Sequence, residues 1–280
     1  MDFRDKLSGI GETMRVDDVR RFLEQVAPLT LAESWDNVGL LVGDPEAVVS
    51  RVMTCLTITP TSVEEAIERR CDLIVAHHPL PFRPLTRITT ETTPGRLLLE
   101  LIARRVSVYS SHTAFDSAAE GINQKLAELL GLRGIQPLRP CLGGPSELGG
   151  GRFGDAPPDF TLPRLAELLM ARCGIPRLPY VGDAGSSISR IAVACGSAGE
   201  FLSAAHEADC DTFVTGETSL HTCLEAEALG MRLVLMGHYA SERFAVEELA
   251  QRLALGFPAL QVWASERERD PVRWLDGNGR

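Results

Sequence analysis

Short apolar segments alternate with amphipathic segments along most of this chain, and this alternation is the feature that most restricts its fold. Residues 51–58 and 73–76 have the composition of β-strands, and residues 61–70 between them have the apolar spacing of a helix. A strand–helix–strand order is typical of parallel sheets, because a crossover must bring the next strand alongside in the same direction. The sequence therefore predicts an α/β fold.

The strand–helix–strand pattern occurs twice in the chain. Adding 139 to the numbers of residues 51–78 places Arg51 on Arg190 without a gap (190 − 51 = 139). A second offset, 126, places His112 on His238 (238 − 112 = 126). Internal duplication of this kind changes the fold that is expected. Chance similarity between two α/β segments is the alternative, since few residues are identical between the halves.

We predict two similar α/β lobes with mixed sheets, related by this internal pseudo-repeat. The first lobe comprises residues 14–132 together with residues 235–280 and carries most of the candidate metal ligands described below. The second lobe comprises residues 133–234. Glycine and proline crowd together in residues 133–160, which predicts either a glycine-rich linker leading into the second lobe or a mobile loop.

Histidine and carboxylate side chains follow three of the predicted strands. They form one pair of adjacent histidines and two pairs in which a histidine precedes a carboxylate by four residues. The residues are His77 and His78, His112 and Asp116, and His238 and Glu242. The carboxyl ends of parallel strands meet at one edge of a sheet, so we expect these side chains to converge. Residues four apart on a helix share a face, so both can meet one ion.

Imidazole and carboxylate groups in this number are the ligand inventory of a two-metal site. The ligand types suit Zn, Mn, Fe, Co or Ni and do not choose among them. No cysteine adjoins these positions in the sequence, which argues against a cysteine-rich structural zinc site. Two alternatives stay open at this level: the adjacent histidines can form a solvated loop, and His112 can be a hydrogen-bonded helix start.

Three further polar residues are candidates for substrate binding. Glu217 and His221 form another pair with four-residue spacing after a strand, and they can contact a metal ligand, a substrate or another subunit. Asn37 lies in a turn-rich segment beside Trp35, where an Asx-turn next to a buried ring is the structural alternative. We predict Asn37, Glu217 and His221 as the substrate-facing group.

Six segments of the chain match motifs of a known family. They are residues 34–40, 73–80, 111–116, 150–154, 214–217 together with His221, and 237–242. These motifs span roughly residues 15–275. On them the chain resembles the Nif-three-like dinuclear metal-centre proteins, whose members are also called GTP cyclohydrolase I type 2 homologues.

The resemblance implies a Nif-three-like fold, a toroidal homohexamer and two divalent metal ions per subunit that face a central cavity. The ligands that it implies, with Glu242 as the bridge, are His77, His78, Asp116, His238 and Glu242. His112 matches a family histidine, and its role as a direct ligand or as a partner of a ligand stays open. Some members carry an inserted domain, for which residues 131 to about 185 are too short. We expect only a linker and a helix there.

Composition restricts the class of protein further. The chain has 28 Lys and Arg against 38 Asp and Glu, a net charge of −10, which makes a nucleic-acid partner unlikely. The seven cysteines form no C-x-x-C pair, no apolar run is long enough to span a membrane, and residues 1–12 lack the apolar core of a signal peptide. These features predict a cytoplasmic protein without a membrane partner.

The ligand set predicts a metal-dependent hydrolase acting on a small molecule, because no covalent nucleophile is evident beside it. His112 is the candidate catalytic residue, as a proton carrier. The nucleotide-like character of the substrate comes from the resemblance alone. The alternative is a metal-binding oligomeric scaffold, chaperone or regulatory interaction protein without turnover, since a fold does not decide a function.

Overall fold

Two mixed β-sheets, flanked by nine α-helices among the described residues, form the computed structural model, which describes residues 13–141 and 143–275. The elements of the first half are α1 (Val16–Val26), β1 (Gly39–Val42), β2 (Arg51–Cys55), α2 (Pro60–Glu68), β3 (Leu73–Ala76), α3 (Thr93–Ala103), β4 (Ser107–Ser110), α4 (His112–Ser117) and α5 (Ile122–Leu129). The remaining elements are β5 (Arg133–Gln136), β6 (Arg139–Pro140), β7 (Gly149–Gly150), β8 (Arg152–Asp155), α6 (Leu162–Cys173), β9 (Tyr180–Val181), β10 (Arg190–Ala194), α7 (Leu202–Glu207), β11 (Thr212–Thr215), α8 (Leu220–Ala228), β12 (Arg232–Leu235), α9 (His238–Gly256) and β13 (Gln261–Ala264).

The first sheet has the strand order β1-β4-β3-β2-β13. Strands β4, β3, β2 and β13 are parallel, and β1 pairs antiparallel with β4 at the edge. All four residues of β3 are buried, as expected for a central strand with helices on both faces of the sheet. The second sheet has the order β5-β8-β10-β11-β12-β9, with β10, β11 and β12 parallel and the outer strands antiparallel. A separate two-stranded sheet pairs β6 with β7. The prediction of an α/β fold with mixed sheets is therefore confirmed.

The pseudo-repeat is visible in the register of the parallel strands. Val52 lies opposite Leu73 in the first sheet, and Ile191 lies opposite Thr212 in the second. Both residues of the second pair follow from the first by the offset of 139 (191 − 52 = 139; 212 − 73 = 139). The two halves therefore share a strand register as well as an order of elements.

A hydrogen bond at the start of each repeat follows the same offset. The backbone N–H of Ser50 donates to the carboxylate of Asp72 at 2.9 Å, and that of Ser189 donates to Asp211 at 2.7 Å. In each half, the carboxylate thereby ties the start of one parallel strand to the residue that precedes the next. The match of both residue types and both contacts argues against chance similarity.

The second offset is one residue too large for the strands. Leu73 lies opposite Ser107, and Thr212 lies opposite Arg232, so the strands β4 and β12 correspond by 125 (232 − 107 = 125). The predicted offset of 126 aligns the histidines that follow, because the second half has one more residue between its strand and its helix. Gly237 stands directly before α9 in that connection, with φ of +85°.

The expectation of only a linker and a helix in residues 131–185 is wrong. Five strands lie there, β5 to β9, and β8 pairs antiparallel with β10 inside the second sheet. Each is two to four residues long, which is too short to show an alternating pattern in the sequence. The numerical boundaries of the two lobes stay a prediction.

Two helices cross between the sheets. Helix α5 follows the first sheet, yet its Leu126 packs in one core with Ile191 and Val193 of the second sheet. Helix α9 follows the second sheet, and its Leu249 packs in one core with Val52 of the first. Each of these helices thus packs on the sheet of the other half. The amino-terminal end of α9 thereby lies between the sheets, near the ends of β3 and β10.

No helix in residues 13–141 and 143–275 combines the length and the apolar character that a membrane crossing needs. The prediction that the amino-terminal segment lacks a signal peptide falls on residues 1–12, outside the described residues.

Candidate metal centre

The adjacent histidines continue the ladder of the first sheet. The backbone N–H of His77 donates to the Cys55 carbonyl at 2.9 Å, and that of His78 donates to the Leu56 carbonyl at 2.8 Å. Both side chains therefore start from a backbone that the neighbouring strand holds in place. Thr57 adds a third anchor, since its Oγ1 shares a hydrogen bond of 2.7 Å with His78 Nδ1.

His112 is held by a carboxylate distant in the sequence. Its Nδ1 lies 2.8 Å from Asp36 Oδ1, and the Asp36 side chain is fully buried. Burial acts to raise the pKa of Asp36, but hydrogen bonds from His112 and Thr113 hold that pKa below its ordinary value. Ionised Asp36 can only accept, so His112 donates from Nδ1 and keeps a lone pair on Nε2 for a metal ion. The backbone of His112 has φ of +26°, a strained value of the kind that occurs at functional sites.

His238, the first residue of α9, is oriented in the same manner by a carboxylate that follows β11. Its Nδ1 lies 2.9 Å from Glu217 Oε1, and its Nε2 lies 3.3 Å from Glu242 Oε2, one turn further along α9. The Nε2 atoms of His238 and His78 are 3.4 Å apart. Two lone pairs at that distance repel each other, so the arrangement calls for a proton or a cation beside them.

His77 is the most buried imidazole of the group. Neither of its ring nitrogens has a hydrogen-bond partner, although the residue is only 5% exposed. Its Nε2 lies 3.7 Å from Asp116 Oδ1 and 3.8 Å from Glu242 Oε1. A buried polar atom without a partner costs about 1–3 kcal/mol, and a bound cation would remove this cost. The orphaned nitrogen therefore fits a metal ligand better than a core histidine.

Two overlapping groups of side chains have the spacing to hold a metal ion. The first is His77, His78 and His112, and the second is His78, His238 and Glu242; within each group the ligand atoms lie within 4.8 Å of one another. His78 belongs to both. The structure therefore brings together five of the six residues that the strand-end pattern singled out, and the sixth, Asp116, reaches the group through its contact with His77.

The electrostatics of the centre are dominated by burial and by mutual contacts. Burial raises the pKa of Asp116 to about 7, and the nearby charge of Glu242 adds to this shift. Burial acts in the same direction on Glu242, but contacts from His238 and His78 outweigh it and lower the pKa of Glu242. Glu242 in turn raises the pKa of His238 to about 9. Burial lowers the pKa of His77 well below its usual range.

One cysteine adjoins the centre in space, although none does in the sequence. Cys195 follows β10, and its Sγ lies 3.3 Å from Asp116 Oδ1. Burial raises the pKa of this thiol well above its ordinary value, so the thiol stays protonated and donates to the carboxylate. Asn123 links the same two residues. Its Oδ1 accepts from the Cys195 N–H at 2.8 Å, and its Nδ2 donates to the Asp116 backbone carbonyl at 3.1 Å.

The three predicted substrate-facing residues do not lie together. Asn37 donates from Nδ2 to the Pro81 carbonyl at 2.7 Å, and Glu217 holds His238. His221 is exposed on α8 and belongs to neither group of potential ligands. Asn37 and Glu217 therefore have positioning contacts in this structure, and a substrate contact by any of the three stays a prediction.

A cavity of about 490 Å³ opens beside the centre, a volume typical of small-molecule sites. The exposed rings of Trp35 and Phe82 line its first-lobe side. Gly196, at φ of +67°, lies on the second-lobe side, where an added Cβ would come within 2.5 Å of Glu242 Oε1. Glycine thus lets the backbone approach the carboxylate closely.

Sequence reasoning missed the residues that orient the histidines. The structural alternative for this segment, an Asx-turn next to a buried ring, does not describe it, because Trp35 is 60% exposed and Asp36 accepts from the N–H of the very next residue, Asn37, at 2.8 Å. Asp36 instead holds His112, 76 residues away. Thr57 and Cys195 carry no motif that marks them. A contact between distant segments leaves no local signal in one sequence.

Comparison with known proteins identifies the family. Residues 14–271 match the Duf34/NIF3 (NGG1p interacting factor 3) family. A "GTP cyclohydrolase 1 type 2 homolog" of Clostridium perfringens is 31% identical over 264 residues, which cover 94% of this chain and all of that protein. "NIF3-like protein 1" of Drosophila melanogaster is 32% identical over 255 residues, covering 89% of this chain and 86% of that protein.

A solved structure agrees with these sequence matches. The crystal structure of Staphylococcus aureus hypothetical protein SA1388 superposes with a TM-score of 0.86 at 28% identity, covering 94% of this chain and all of that chain. The family match spans most of the chain, and the fold and the curated relatives agree with it. This protein therefore belongs to the Duf34/NIF3 family.

Proposed function

We propose that this protein is a metal-dependent hydrolase of a small, nucleotide-like molecule and that it works with two divalent ions drawn from Zn, Mn, Fe, Co or Ni. The observation that carries the proposal is the pair of overlapping ligand groups that share His78 at the wall of a cavity. The name of the Clostridium perfringens relative, a GTP cyclohydrolase homologue, supports the substrate class.

In this proposal, His77, His78, Asp116, His238 and Glu242 would hold the ions, and Glu242 would be shared, because its Oε1 faces His77 and its Oε2 faces His78 and His238. Bound divalent ions lower the pKa of water and polarise a substrate oxygen. The chain's own contribution is orientation: Asp36 and Glu217 each accept a hydrogen bond from Nδ1 of a histidine and turn its Nε2 inward.

In the same proposal, His112 is a proton carrier between the centre and the cavity. It lines the cavity, its Nδ1 is tied to ionised Asp36, and its ring centroid lies 5.1 Å from that of His77. A carboxylate behind an imidazole stabilises the protonated ring, which is what a general acid or base requires. Whether His112 also binds an ion is open in the proposal.

Turnover of GTP and of p-nitrophenyl phosphate by the metal-loaded protein tests the proposal. We expect measurable hydrolysis that falls at least about 100-fold in Glu242→Gln, together with loss of metal. Glu247→Gln is the matched control, because Glu247 is an exposed residue of the same helix. Hydrolysis that survives in a metal-free Glu242→Gln variant would show that the centre is not catalytic.

A second candidate function is a metal-binding scaffold or regulatory partner, assembled as a homohexamer. Leu220 and Leu224, one turn apart on α8, are 71% and 52% exposed, and this exposed apolar pair supports an assembly surface on that helix. The family description as an interacting factor also supports this candidate. Sedimentation of wild type and of Leu220→Asp tests it: a ring that dissociates in the variant supports assembly through α8. Metal binding without turnover of GTP or of any phosphoester would favour the scaffold over the hydrolase.

A further inference from the structure

Two large aromatic side chains are exposed at the mouth of the cavity. Trp35 is 60% exposed and Phe82 is 46% exposed, and their ring centroids lie 6.0 Å apart. Exposure of rings this large loses the free energy that burial would supply. Exposed aromatic groups at the edge of a polar cavity therefore point to a ligand that covers them.

Both rings are also close to the candidate metal centre. Their centroids lie 6.0 Å and 5.9 Å from that of His112, in edge-on geometry. His112 belongs to the ligand group with His77 and His78. A molecule that covers the two rings would thus have its reactive end next to that group.

The segment that carries Trp35 is fixed by the two residues that follow it. Asp36 binds His112 and Thr113, and Asn37 donates to the Pro81 carbonyl, directly before Phe82. One short segment therefore places Trp35 and also tethers the loop of Phe82. The rings are held in register with the imidazole before any ligand arrives, which lowers the entropy cost of binding.

We propose that Trp35 and Phe82 form the binding site for a planar aromatic ring of the substrate, with the ring at the cavity mouth and the reactive group beside His112. The inference rests on the proposed function and adds the part of the substrate that the protein recognises. Stacking on aromatic side chains tolerates different heterocycles because each has a π-face. The site therefore selects planarity and aromaticity rather than one base.

Three phosphate monoesters that differ only in their organic group test this inference: phenyl, cyclohexyl and methyl phosphate. Their binding to the metal-loaded protein is measured by calorimetry. We expect phenyl phosphate to bind about tenfold more tightly than methyl phosphate, with cyclohexyl phosphate closer to methyl. Trp35→Ala and Phe82→Ala should each reduce this ratio several-fold and leave the affinity for methyl phosphate unchanged.

Two further variants control for indirect effects. Trp35→Phe keeps an aromatic ring and should retain most of the preference for phenyl phosphate. Trp274→Ala removes an exposed tryptophan that does not line the cavity and should change nothing. Equal affinity of wild type for phenyl and methyl phosphate, or a ratio that survives in both alanine variants, would overturn the inference.

The same titrations separate this inference from the hydrolase proposal. Ring-dependent binding of phenyl phosphate without turnover of GTP or of any phosphoester would support the aromatic site and contradict the hydrolase. Hydrolysis at equal rates and affinities for all three esters would support the hydrolase and overturn the aromatic site. If none of the three binds, the aromatic site is overturned as well.

Discussion

The positions after strands β3 and β11 are equivalent in the two halves of the molecule but carry different chemistry. His77 and His78 follow β3, whereas Gly216 and Glu217 follow β11. A Cβ at position 216 would come within 2.4 Å of the Gly196 carbonyl oxygen, so a histidine cannot stand there without moving the backbone. The first half supplies two imidazoles, and the second half supplies a close backbone approach and one carboxylate.

The difference shows that equivalent positions in a duplicated fold can have different roles, one as a candidate metal ligand and the other as the partner of a ligand. His77 is buried beside the other candidate ligands, whereas the Glu217 side chain is 58% exposed and accepts a hydrogen bond from Nδ1 of His238. The strand register is the same in both halves, because hydrogen bonds of the backbone set it. The side chains that follow are free to differ, so equal position does not imply equal role.

Loss of His78 is the largest effect that this comparison predicts, because His78 belongs to both ligand groups. Structural zinc sites bind with about 10–16 kcal/mol from four ligands, so one ligand is worth about 3 kcal/mol, or about 100- to 1,000-fold in affinity. We expect a loss of this size at both positions in His78→Gln, measured by competition with a chromogenic chelator. His206→Gln, at an exposed residue of α7, is the control. Tight binding retained at either position would contradict the shared role.

The two ligand groups should also respond differently to pH. Burial lowers the pKa of His77, so no proton has to leave it when an ion binds. Glu242 raises the pKa of His238 to about 9, so below pH 9 an ion must displace a proton from His238. Well below pH 9, affinity at that group should fall about tenfold per pH unit on acidification, and the whole change between pH 9 and pH 7 should be about 50-fold, since half of His238 is already protonated at pH 9.

Calorimetric titration in buffers of different ionisation enthalpy measures this effect, because it counts the protons that each bound ion releases. One proton per ion is expected at the group with His238, and a smaller number at the group with His77. Glu217→Gln should distinguish the two ligand groups. It should lower the pKa of His238 and so weaken the pH dependence of metal affinity at the group with His238. Equal proton release at both groups would show that the two halves do not differ electrostatically.

The carboxylates behind the histidines give a smaller, graded effect. Partners of metal-bound histidines are typically worth about 10- to 100-fold in metal affinity. The side chain of Asp36 is fully buried, and that of Glu217 is mostly exposed to solvent. We therefore expect Asp36→Asn to approach the upper end of this range and Glu217→Gln to stay at or below the lower end. Chelator competition at one pH compares them, with thermal melts to exclude unfolding, and equal losses would contradict the argument from burial.

The smallest predicted effect concerns the close backbone approach in the second half. Gly196 and Gly174 have nearly the same φ, +67° and +66°, so alanine at either position should cost about 1–2 kcal/mol in the free energy of unfolding. A Cβ at position 196 intrudes on Glu242, whereas one at position 174 meets nothing within 4 Å. We expect Gly196→Ala alone to lose a further several-fold in metal affinity. Identical metal binding by both variants would show that the close approach has no role in the centre.

Much of the fold and of the candidate site could be predicted because both depend on short sequence patterns, namely apolar runs and the polar residues that follow them. Buried parallel strands such as residues 73–76 are continuous apolar runs, and the offset of 139 predicted their register in the second half. The rule that parallel strands end at one edge of a sheet predicted that His77 and His78 meet His112, because β3 and β4 are neighbours in the first sheet. It does not account for the meeting of His78 with His238, which follows β12 of the second sheet. The strands of residues 133–155 could not be predicted, since a pair such as Gly149–Gly150 is too short for any periodicity.

The sequence by itself determined the order of the elements, the duplication and the identity of the side chains at the strand ends, because these depend on hydrophobic periodicity and backbone hydrogen bonding. Only the tertiary structure decided which partners orient those side chains. Asp36 meets His112 across 76 residues and Cys195 meets Asp116 across 79, and the exchange of α5 and α9 between the sheets brings the halves together. Such contacts depend on how the lobes pack, and packing is a property of the folded chain as a whole.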